Sequence, residues 1–189
     1  AAIDVEAWLG GRIGDKFSRL ENTAFINGNG VGQPRGLLTY DAGTAWGQVE
    51  QVNSGSATDV TADGLIDVVT SLKNPYRRNA VWLMNRETVG AVRKLKDPVT
   101  GLYLWQPALQ LGQPDMLLGY PIVLAADLPT IAGNALYCAF GDFKQGYCIV
   151  DRVGIRVLRD PYTAKPNVLF YSTKRTGGAV VNFEAIKLG

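Results

Sequence analysis

The first 26 residues carry an amphipathic pattern that ends at a segment rich in glycine and asparagine. The apolar residues recur mostly at steps of three and four, the spacing of one helix face: Val5, Trp8, Leu9, Ile13, Phe17, Leu20 and Ala24. The pattern predicts a helix over residues 1–26 whose apolar face must be buried. The face has two possible partners, the core of the same chain or another chain, and the aromatic anchors for either are Trp8, Phe17 and Phe25.

Three glycines interrupt this helix pattern, at Gly10, Gly11 and Gly14. Each costs about 1 kcal/mol relative to alanine inside a helix. They therefore indicate either a bend in the helix or the close approach of another backbone. The pattern also begins at residue 1 without a capping residue, which predicts that the sequence is part of a longer chain.

The segment after the helix, residues 27–36, predicts a shaped loop. Gly28, Gly30 and Gly32 tolerate positive φ, and Pro34 stops a regular strand ladder. The glycine spacing superficially resembles a nucleotide-binding loop. That motif requires a strand before the glycines and a helix after them, and here a helix precedes them and no Walker lysine follows. A loop that needs positive φ is the favoured interpretation.

The middle of the chain predicts short helices and strands. Residues 39–60 are polar and predict a surface excursion with short strands. A helix is predicted over 61–72, capped by Asp59 or Thr61, with inward residues Leu65, Ile66, Val69 and Leu72. A buried strand over 80–84 and a helix over 87–95 follow, the helix capped by Asn85, with inward residues Val89, Val92 and Leu95. Asp97-Pro98 ends this helix.

The remainder of the chain predicts mainly strands. They cover residues 103–105, 117–125 with a break at Pro121, 135–140, 147–158, 167–174 and 179–186. The 135–140 and 147–158 strands are expected to form a hairpin, and Gly177-Gly178 to turn the chain into the last strand. Helices that come early and centrally before a β-rich end indicate an α+β fold.

Composition excludes several kinds of function. The chain has no histidine, which removes Ser-His-Asp and Cys-His nucleophiles and histidine-based metal sites. With 19 Lys and Arg against 17 Asp and Glu, the net charge of +2 is too balanced for a protein that wraps a polyanion. Cys138 and Cys148 are too few for a zinc site or disulfide framework, and we interpret them as reduced core thiols.

No sequence feature indicates secretion or membrane insertion. The first twenty residues contain six charged side chains and lack the apolar core of a signal peptide. No stretch approaches the roughly 18–20 apolar residues of a membrane span.

Three charge clusters are candidate sites. Asp59, Asp63 and Asp67 are spaced to share one helix face and could bind a cation or act as acid and base, but carboxylates that favour a helix N-terminus are the preferred interpretation. Two basic groups could contact phosphate, although solvated or intersubunit charge is favoured: Lys73, Arg77 and Arg78, and Arg86, Arg93, Lys94 and Lys96.

One long motif resembles the signature of tailed-phage major capsid proteins with the Hong Kong 97-type fold: Glu21-x-x-Ala24-Phe25-Ile26-Asn27-Gly28-x-Gly30-x-x-x-Pro34-x-Gly36-Leu37. Five later segments match the family in order: 82–88, 95–107, 118–122, 140–147 and 159–160. The resemblance covers essentially all 189 residues. Each motif is weak alone, and the ordered series is much more specific.

The resemblance implies a division into two domains. Residues 1–36 and 145–174 would form the peripheral domain, with a spine helix over 1–26, the loop over 27–36 and a long β-hairpin. Residues 37–144 and 175–189 would form the axial domain, a mixed sheet with helices. The loop would lie between subunits, with the candidate residues Gly28, Gly30, Gly32, Pro34, Arg35 and Gly36. The family's N-terminal arm and extended loop would precede residue 1.

The resemblance also implies a structural role. The chain would be a subunit of an icosahedral phage or prophage capsid around double-stranded DNA, with no enzymatic activity and no cofactor or metal. Its partners would be its own copies in pentamers and hexamers, a scaffolding segment or protein, a maturation protease and a portal. DNA would be contacted only non-specifically, and no membrane would be bound. The protein would be located in the virion capsid after assembly in the bacterial cytoplasm.

Two other functions remain as alternatives. An encapsulin-like nanocompartment would use the same fold around protein cargo. A small hydrolase would use the aspartates, Asp63 and Asp67 above all.

Two expectations concern particular residues of the implied fold. Some family members cross-link through Lys, Asn and a catalytic Glu; Asn167 falls near the Asn position, but residues 168–178 contain no Glu and Thr173 stands about where one is needed. We therefore predict no isopeptide chemistry. The spine helix of this fold is thought to bend in the immature shell, and Gly10, Gly11 and Gly14 would be its flexible points.

Overall fold

The computed structural model describes residues 5–56, 59–96, 101 and 115–189, and the side chains from residue 7 onward. The described residues form two compact units. The first, the helix-and-ribbon unit, contains residues 1–39 and 149–179; the second, the sheet unit, contains residues 40–148 and 180–189. The chain therefore leaves the first unit, builds most of the second, returns once to the first and then re-enters the second.

The described residues contain five helices and eight strands. The helices are α1 Val5–Asn27, α2 Ala62–Ser71, α3 Asn74–Arg77, α4 Arg86–Arg93 and α5 Phe143–Gly146. The strands are β1 Glu50–Gln51, β2 Val81–Met84, β3 Met116–Leu117, β4 Tyr120–Leu124, β5 Cys138–Gly141, β6 Tyr147–Asp160, β7 Leu169–Val180 and β8 Ile186–Leu188. Short 3-10 turns cover Leu37–Thr39 and Phe183–Ala185. This is the α+β composition that the sequence predicts.

The helix-and-ribbon unit consists of α1, the loop after it, and the long strands β6 and β7, which pair as a two-stranded ribbon. Helix α1 is continuous through all three glycines. A Cβ atom built on Gly10, Gly11 or Gly14 would meet no atom within 4 Å. Close approach of a backbone from the described chain is therefore not the reason for these glycines.

The apolar face of α1 is only partly covered. Trp8 is 57% exposed and Leu20 is 53% exposed, whereas Ile13, Phe17 and Ala24 are half-buried. The predicted helix forms, but the described residues do not fully bury its apolar face. A helix face of this kind is a candidate contact surface.

The sheet unit is built on a six-stranded mixed sheet in the order β1-β8-β5-β2-β4-β3. Strand β2 lies at its centre, antiparallel to β5 and parallel to β4. Trp82 stacks on Phe140 across β2 and β5 with ring centroids 4.4 Å apart, and its indole nitrogen donates to the Leu117 carbonyl over 3.1 Å. Both rings are fully buried, so the sheet's core forms around this pair.

Helices α2 and α4 pack on this core, and each begins at a side chain that caps its first turn. The Thr61 hydroxyl accepts from Gly64 N over 3.0 Å, and Asn85 accepts from Glu87 N over 3.1 Å. The caps predicted at Thr61 and Asn85 are therefore confirmed. Val89 and Val92 are buried as predicted.

One inward residue of α2 was predicted wrongly. Ile66 is 46% exposed, whereas Val68 is fully buried together with Leu65 and Leu72. Residues 65, 68 and 72 lie at i, i+3 and i+7 and therefore share one face, from which Ile66 is rotated by a third of a turn. Val69 is half-buried at the edge of that face.

Three strand predictions also need correction. The break before β4 lies at Leu118 and Gly119, with φ of 51° and 84°, and Pro121 lies inside β4. Pro121 is tolerated because the ladder with β2 begins only at Ile122. Gly177 and Gly178 do not turn the chain, since β7 runs through them to Val180, and the last strand is β8.

The predicted hairpin of the strands at 135–140 and 147–158 does not form. Strand β5 pairs with β2 and β8, and α5 leads the chain from β5 into β6. Both cysteines are free; Cys138 is fully buried, and Cys148 is exposed. Burial raises the pKa of the Cys138 thiol to about 12. A core thiol is thus correct for Cys138 and wrong for Cys148.

The predicted strand at 103–105 and the helix end at Asp97-Pro98 lie outside the described residues. Within the described part of the chain, no helix combines the length and apolar character that a membrane crossing requires.

The packing of α2 predicts effects of very different size for two adjacent substitutions. Leu65→Ala removes a side chain that is 3% exposed, and we expect the free energy of unfolding to fall by about 2–5 kcal/mol. Ile66→Ala on the neighbouring, exposed position is the matched control and should change it by less than about 1 kcal/mol. Urea denaturation of both variants measures the difference, and equal losses would contradict the orientation of α2.

Candidate intersubunit surface

The loop after α1 closes on itself through backbone hydrogen bonds. Gly28 N donates to the Ala24 carbonyl over 2.9 Å, which ends the helix, and Gly36 N donates to the Gly28 carbonyl over 2.7 Å. Asn29 and Arg35 form an antiparallel bridge between these points. The segment that was predicted as a candidate intersubunit loop is therefore a compact, self-bonded structure.

The loop's glycines are required for two different reasons. Gly30 and Gly32 have φ of 79° and 68°, in the left-handed region where side chains are strained. Gly28 and Gly36 are required by close packing instead: a Cβ on Gly28 would lie 2.2 Å from the Pro34 carbonyl oxygen, and one on Gly36 would lie 2.5 Å from the Ile26 carbonyl oxygen. The prediction of positive φ is thus correct for Gly30 and Gly32.

The tip of the loop is exposed and ordered by one side chain. The Asn29 carbonyl oxygen Oδ1 accepts from Val31 N and from Gln33 Nε2, both over 2.9 Å. Val31 is 80% exposed. The tip therefore presents an apolar side chain to solvent on a rigid support, which suits a contact with another molecule.

The far side of the loop is tied to the ribbon. Arg35 N donates to the Gly178 carbonyl over 2.8 Å, while the Arg35 side chain is exposed. Gly28, Pro34 and Gly36 are buried. The structure thus brings the six loop residues together, whereas Gly10, Gly11 and Gly14 lie about 20 Å or more away along α1.

The ribbon is also joined to α1 by a charged cluster that the sequence analysis missed. Lys174 Nζ lies 2.5 Å from Glu21 Oε1 and 3.7 Å from Asp151 Oδ1. The hydrogen bond that Lys174 donates to the Glu21 carboxylate raises the pKa of Lys174 above its ordinary value, so the ammonium form is favoured. No local sequence signal reveals this contact, because Glu21 and Lys174 are far apart along the chain.

The structure places the two residues that were compared with the family's cross-linking positions on and beside β7. Thr173 is exposed on β7, and Asn167 lies in the turn before that strand, where its N–H donates to the Ala164 carbonyl over 2.7 Å.

The aspartate cluster does not form a shared face. Asp59 precedes α2, and only Asp63 and Asp67 lie in the helix, with Asp63 in its first turn. Among the residues that the structure describes, no group of three or more Cys, Asp or Glu is placed to hold a metal ion. Asp63 instead lies in the first turn of α2, where the positive end of the helix dipole stabilises its negative charge.

Some side chains of the two basic groups bind other residues of the same chain. Lys73 Nζ lies 2.6 Å from Glu184 Oε1, and its hydrogen bond lowers the pKa of Glu184. The Arg77 side chain donates to the Leu72 and Thr70 carbonyls over 2.9 and 3.0 Å, which caps the end of α2. Arg93 forms an ion pair with Asp115. These three cations therefore have structural partners.

A further exposed feature of the sheet unit was not found from the sequence. Trp46, in the polar segment before β1, is 85% exposed. The sequence signal that could have predicted this exposed side chain is a tryptophan between Gly43 and Gly47 in an otherwise polar stretch. Exposed apolar side chains also lie at the opposite edge of the sheet, on and beside β3 and β4: Met116, Leu118, Val123 and Leu124.

The protein exposes apolar side chains at the loop tip, on one face of α1 and at the sheet edges, and such surfaces are candidate contacts with other chains. Its α+β fold matches Hong Kong 97-type capsid structures. The family model described as the phage capsid family matches residues 1–189. The chain belongs to this family.

The comparison with solved structures gives two levels of similarity. The chain is 50% identical to the capsid of an empty GTA particle and 49% identical to that of a native GTA particle, each computed with C5 symmetry, with TM-scores of 0.91 and 100% of this chain covered. It spans 66% of the length of each of those chains. Among curated proteins, no relative matches.

More distant structures share the fold alone. A chain of Gordonia phage Cozz is 14% identical with a TM-score of 0.62, covering 97% of this chain and 62% of that one. The holo-SrpI encapsulin complex from Synechococcus elongatus is 17% identical with a TM-score of 0.62, covering 98% of this chain and 64% of that one.

The geometry of the glycines predicts opposite effects for two Gly→Ala substitutions. In Gly28→Ala the new Cβ meets two backbone carbonyl oxygens within 2.4 Å, and we expect destabilisation by about 1–3 kcal/mol. In Gly10→Ala the Cβ meets nothing within 4 Å, and removing an interior helix glycine should stabilise by up to about 1 kcal/mol. Thermal unfolding of both variants measures the effects, and a neutral Gly28→Ala would show that the loop packs differently.

Proposed function

We propose that the protein is a structural subunit of an icosahedral capsid shell that encloses double-stranded DNA. The observation that carries the proposal is the 50% identity, over the whole of this chain, to the capsid of a GTA particle. The chain spans 66% of that relative, so the role of the whole protein is inferred from this shared part. Repeated heterologous contacts between identical copies are what closes such a shell.

The two units of the structure support an assignment of domains. We assign the helix-and-ribbon unit to the peripheral domain, expected over residues 1–36 and 145–174, and the sheet unit to the axial domain, expected over 37–144 and 175–189. The support is that the chain divides into two compact units with three crossings between them. In this assignment α1 is the spine helix and the β6–β7 ribbon is the long hairpin.

We assign the loop of residues 28–36 to a contact between subunits. Its backbone is held by internal hydrogen bonds, so little conformational entropy is lost when a partner covers it. Val31 at its tip would then be buried by a neighbouring copy. Arg35, whose side chain is exposed beside it, would contribute charge at the rim.

The proposed role needs no catalysis, cofactor or metal. We propose that the protein forms pentamers and hexamers with its own copies in the virion capsid and assembles in the bacterial cytoplasm with a scaffolding segment or protein, a maturation protease and a portal. DNA contacts would be non-specific, and isopeptide cross-links would not form. The support for the last point is the sequence, since residues 168–178 contain no Glu and Thr173 stands about where one is needed.

The test of the shell role is direct. The gene product that carries residues 1–189 is expressed in bacteria, and the particles are purified and imaged by electron microscopy. We expect closed icosahedral shells that run as single chains under denaturing conditions. Absence of any shell would contradict the proposal, and a ladder of covalently joined chains would contradict the absence of isopeptide bonds.

The content of these shells separates a capsid from an encapsulin-like compartment. Nuclease-protected DNA inside shells formed during infection or particle production supports the capsid, whereas a single enriched cargo protein without DNA supports the compartment. The higher identity to GTA capsids, 50% against 17% for the encapsulin, favours the capsid.

A second experiment tests the proposed flexible points of α1. Gly10, Gly11 and Gly14 have no steric need to be glycine in the described chain, which supports a role in bending. Replacing all three with alanine should stabilise the helix by about 1 kcal/mol per site while reducing the yield of immature shells. Normal assembly and expansion of the triple variant, measured by sedimentation and microscopy, would reject this role.

A further inference from the structure

Trp46 is presented to solvent on a fixed support. Its backbone segment is held by hydrogen bonds from Val49 N to the Asp41 carbonyl over 3.0 Å and from Gly43 N to the Val49 carbonyl over 3.3 Å. The indole and the Phe183 ring pack edge to face, with centroids 5.2 Å apart and an interplanar angle of 75°. Although it rests on Phe183, it stays 85% exposed.

A supported and exposed tryptophan has the properties of an interface hot spot. Tryptophan is enriched among residues that dominate binding energy, and a side chain already held in place loses little rotamer freedom on binding. The aromatic support continues inward, because Phe183 also packs against Tyr40 with centroids 5.4 Å apart. We call Trp46 with Phe183 the aromatic knob; it lies beside β1 and β8, at one edge of the sheet.

The opposite edge of the same sheet carries exposed apolar side chains among the residues that the structure describes. Strand β3 pairs with Tyr120 and Pro121, and Ile122 N donates to the Asp115 carbonyl just before β3 over 3.0 Å. Among the described residues, no strand pairs with Val123 and Leu124 on the side away from β2. An exposed, hydrophobic edge of this kind is normally covered by a partner. We call it the apolar edge, made of side chains that are 48–59% exposed: Met116, Leu118, Val123 and Leu124.

One chain cannot join these two surfaces. Five interstrand steps separate β1 from β3, which places the edges about 24 Å apart. The surfaces are chemically matched but different, so their contact must be head-to-tail, with each copy offering its knob to one neighbour and its edge to the other. A head-to-tail contact that repeats by rotation closes a ring, and the similar GTA capsids were computed with five-fold symmetry.

We propose that the aromatic knob of one copy packs on the apolar edge of the next copy within a ring of subunits. The proposal rests on the shell function proposed above and names a contact that builds it. The partner is a second copy of this chain.

The experiment uses one variant for each surface in the shell-forming gene product. Trp46→Ala removes the knob, and Leu124→Lys places a charge on the edge. We expect each variant alone to associate roughly thirty-fold more weakly than the wild type in sedimentation velocity, the effect of losing one hot spot. Ile66→Ala, which shortens an exposed apolar side chain elsewhere on the sheet unit, is the matched control and should assemble normally.

Mixing the two variants distinguishes a head-to-tail contact from any other. Trp46→Ala retains an intact edge and Leu124→Lys an intact knob, so one good contact forms in an equal mixture. We expect a species of two chains that does not grow into rings. Unchanged urea midpoints of both variants show that their folds are intact.

The outcomes separate this inference from the shell function. Wild-type shells together with normal assembly of Trp46→Ala, or a mixture that forms no two-chain species, would overturn the knob-and-edge contact and leave the shell function in place. A wild-type gene product that never associates would overturn both.

Discussion

The fold depends on holding together the two points where the chain leaves and re-enters the sheet unit. The Gly146 carbonyl accepts from Val181 N over 2.8 Å and from Asn182 N over 3.2 Å, which joins the start of β6 to the end of β7. The buried Asp142 carboxylate accepts from Lys144 N over 3.1 Å and fixes the turn of α5 before it. Because a long ribbon is inserted between β5 and β8, these two strands can pair only if the ribbon's ends meet here.

Close packing at this junction leaves no space for larger residues. A Cβ on Gly141 would lie 2.0 Å from the Ala185 carbonyl oxygen, and one on Gly146 would lie 2.5 Å from the Ile186 side chain. Gly141 also has φ of 154° and pairs with Ile186 in the sheet. The junction therefore selects glycine by contacts between residues about 40 positions apart, which no local pattern in the sequence shows.

The same distinction explains which predictions succeeded. Thr61 and Asn85 were identifiable as caps because the hydrogen bonds they accept are local, and Gly30 and Gly32 because positive φ is a property of one residue. The exposure of Ile66 could not be predicted, because distant parts of the chain decide which face of α2 is buried. The pairing of β5 could not be predicted either, because its neighbours β2 and β8 are distant in sequence.

The net charge of the whole chain conceals opposite net charges on its two units. The net charge of +2 argued against strong binding to a polyanion. The helix-and-ribbon unit carries ten Lys and Arg against six Asp and Glu, a net charge of +4, whereas the sheet unit carries nine against eleven, a net charge of −2. In the shell proposed above, copies with this small total charge would repel one another little. Units of opposite sign on neighbouring copies would attract, so the separation of charge within a near-neutral total would favour some orientations of the copies over others.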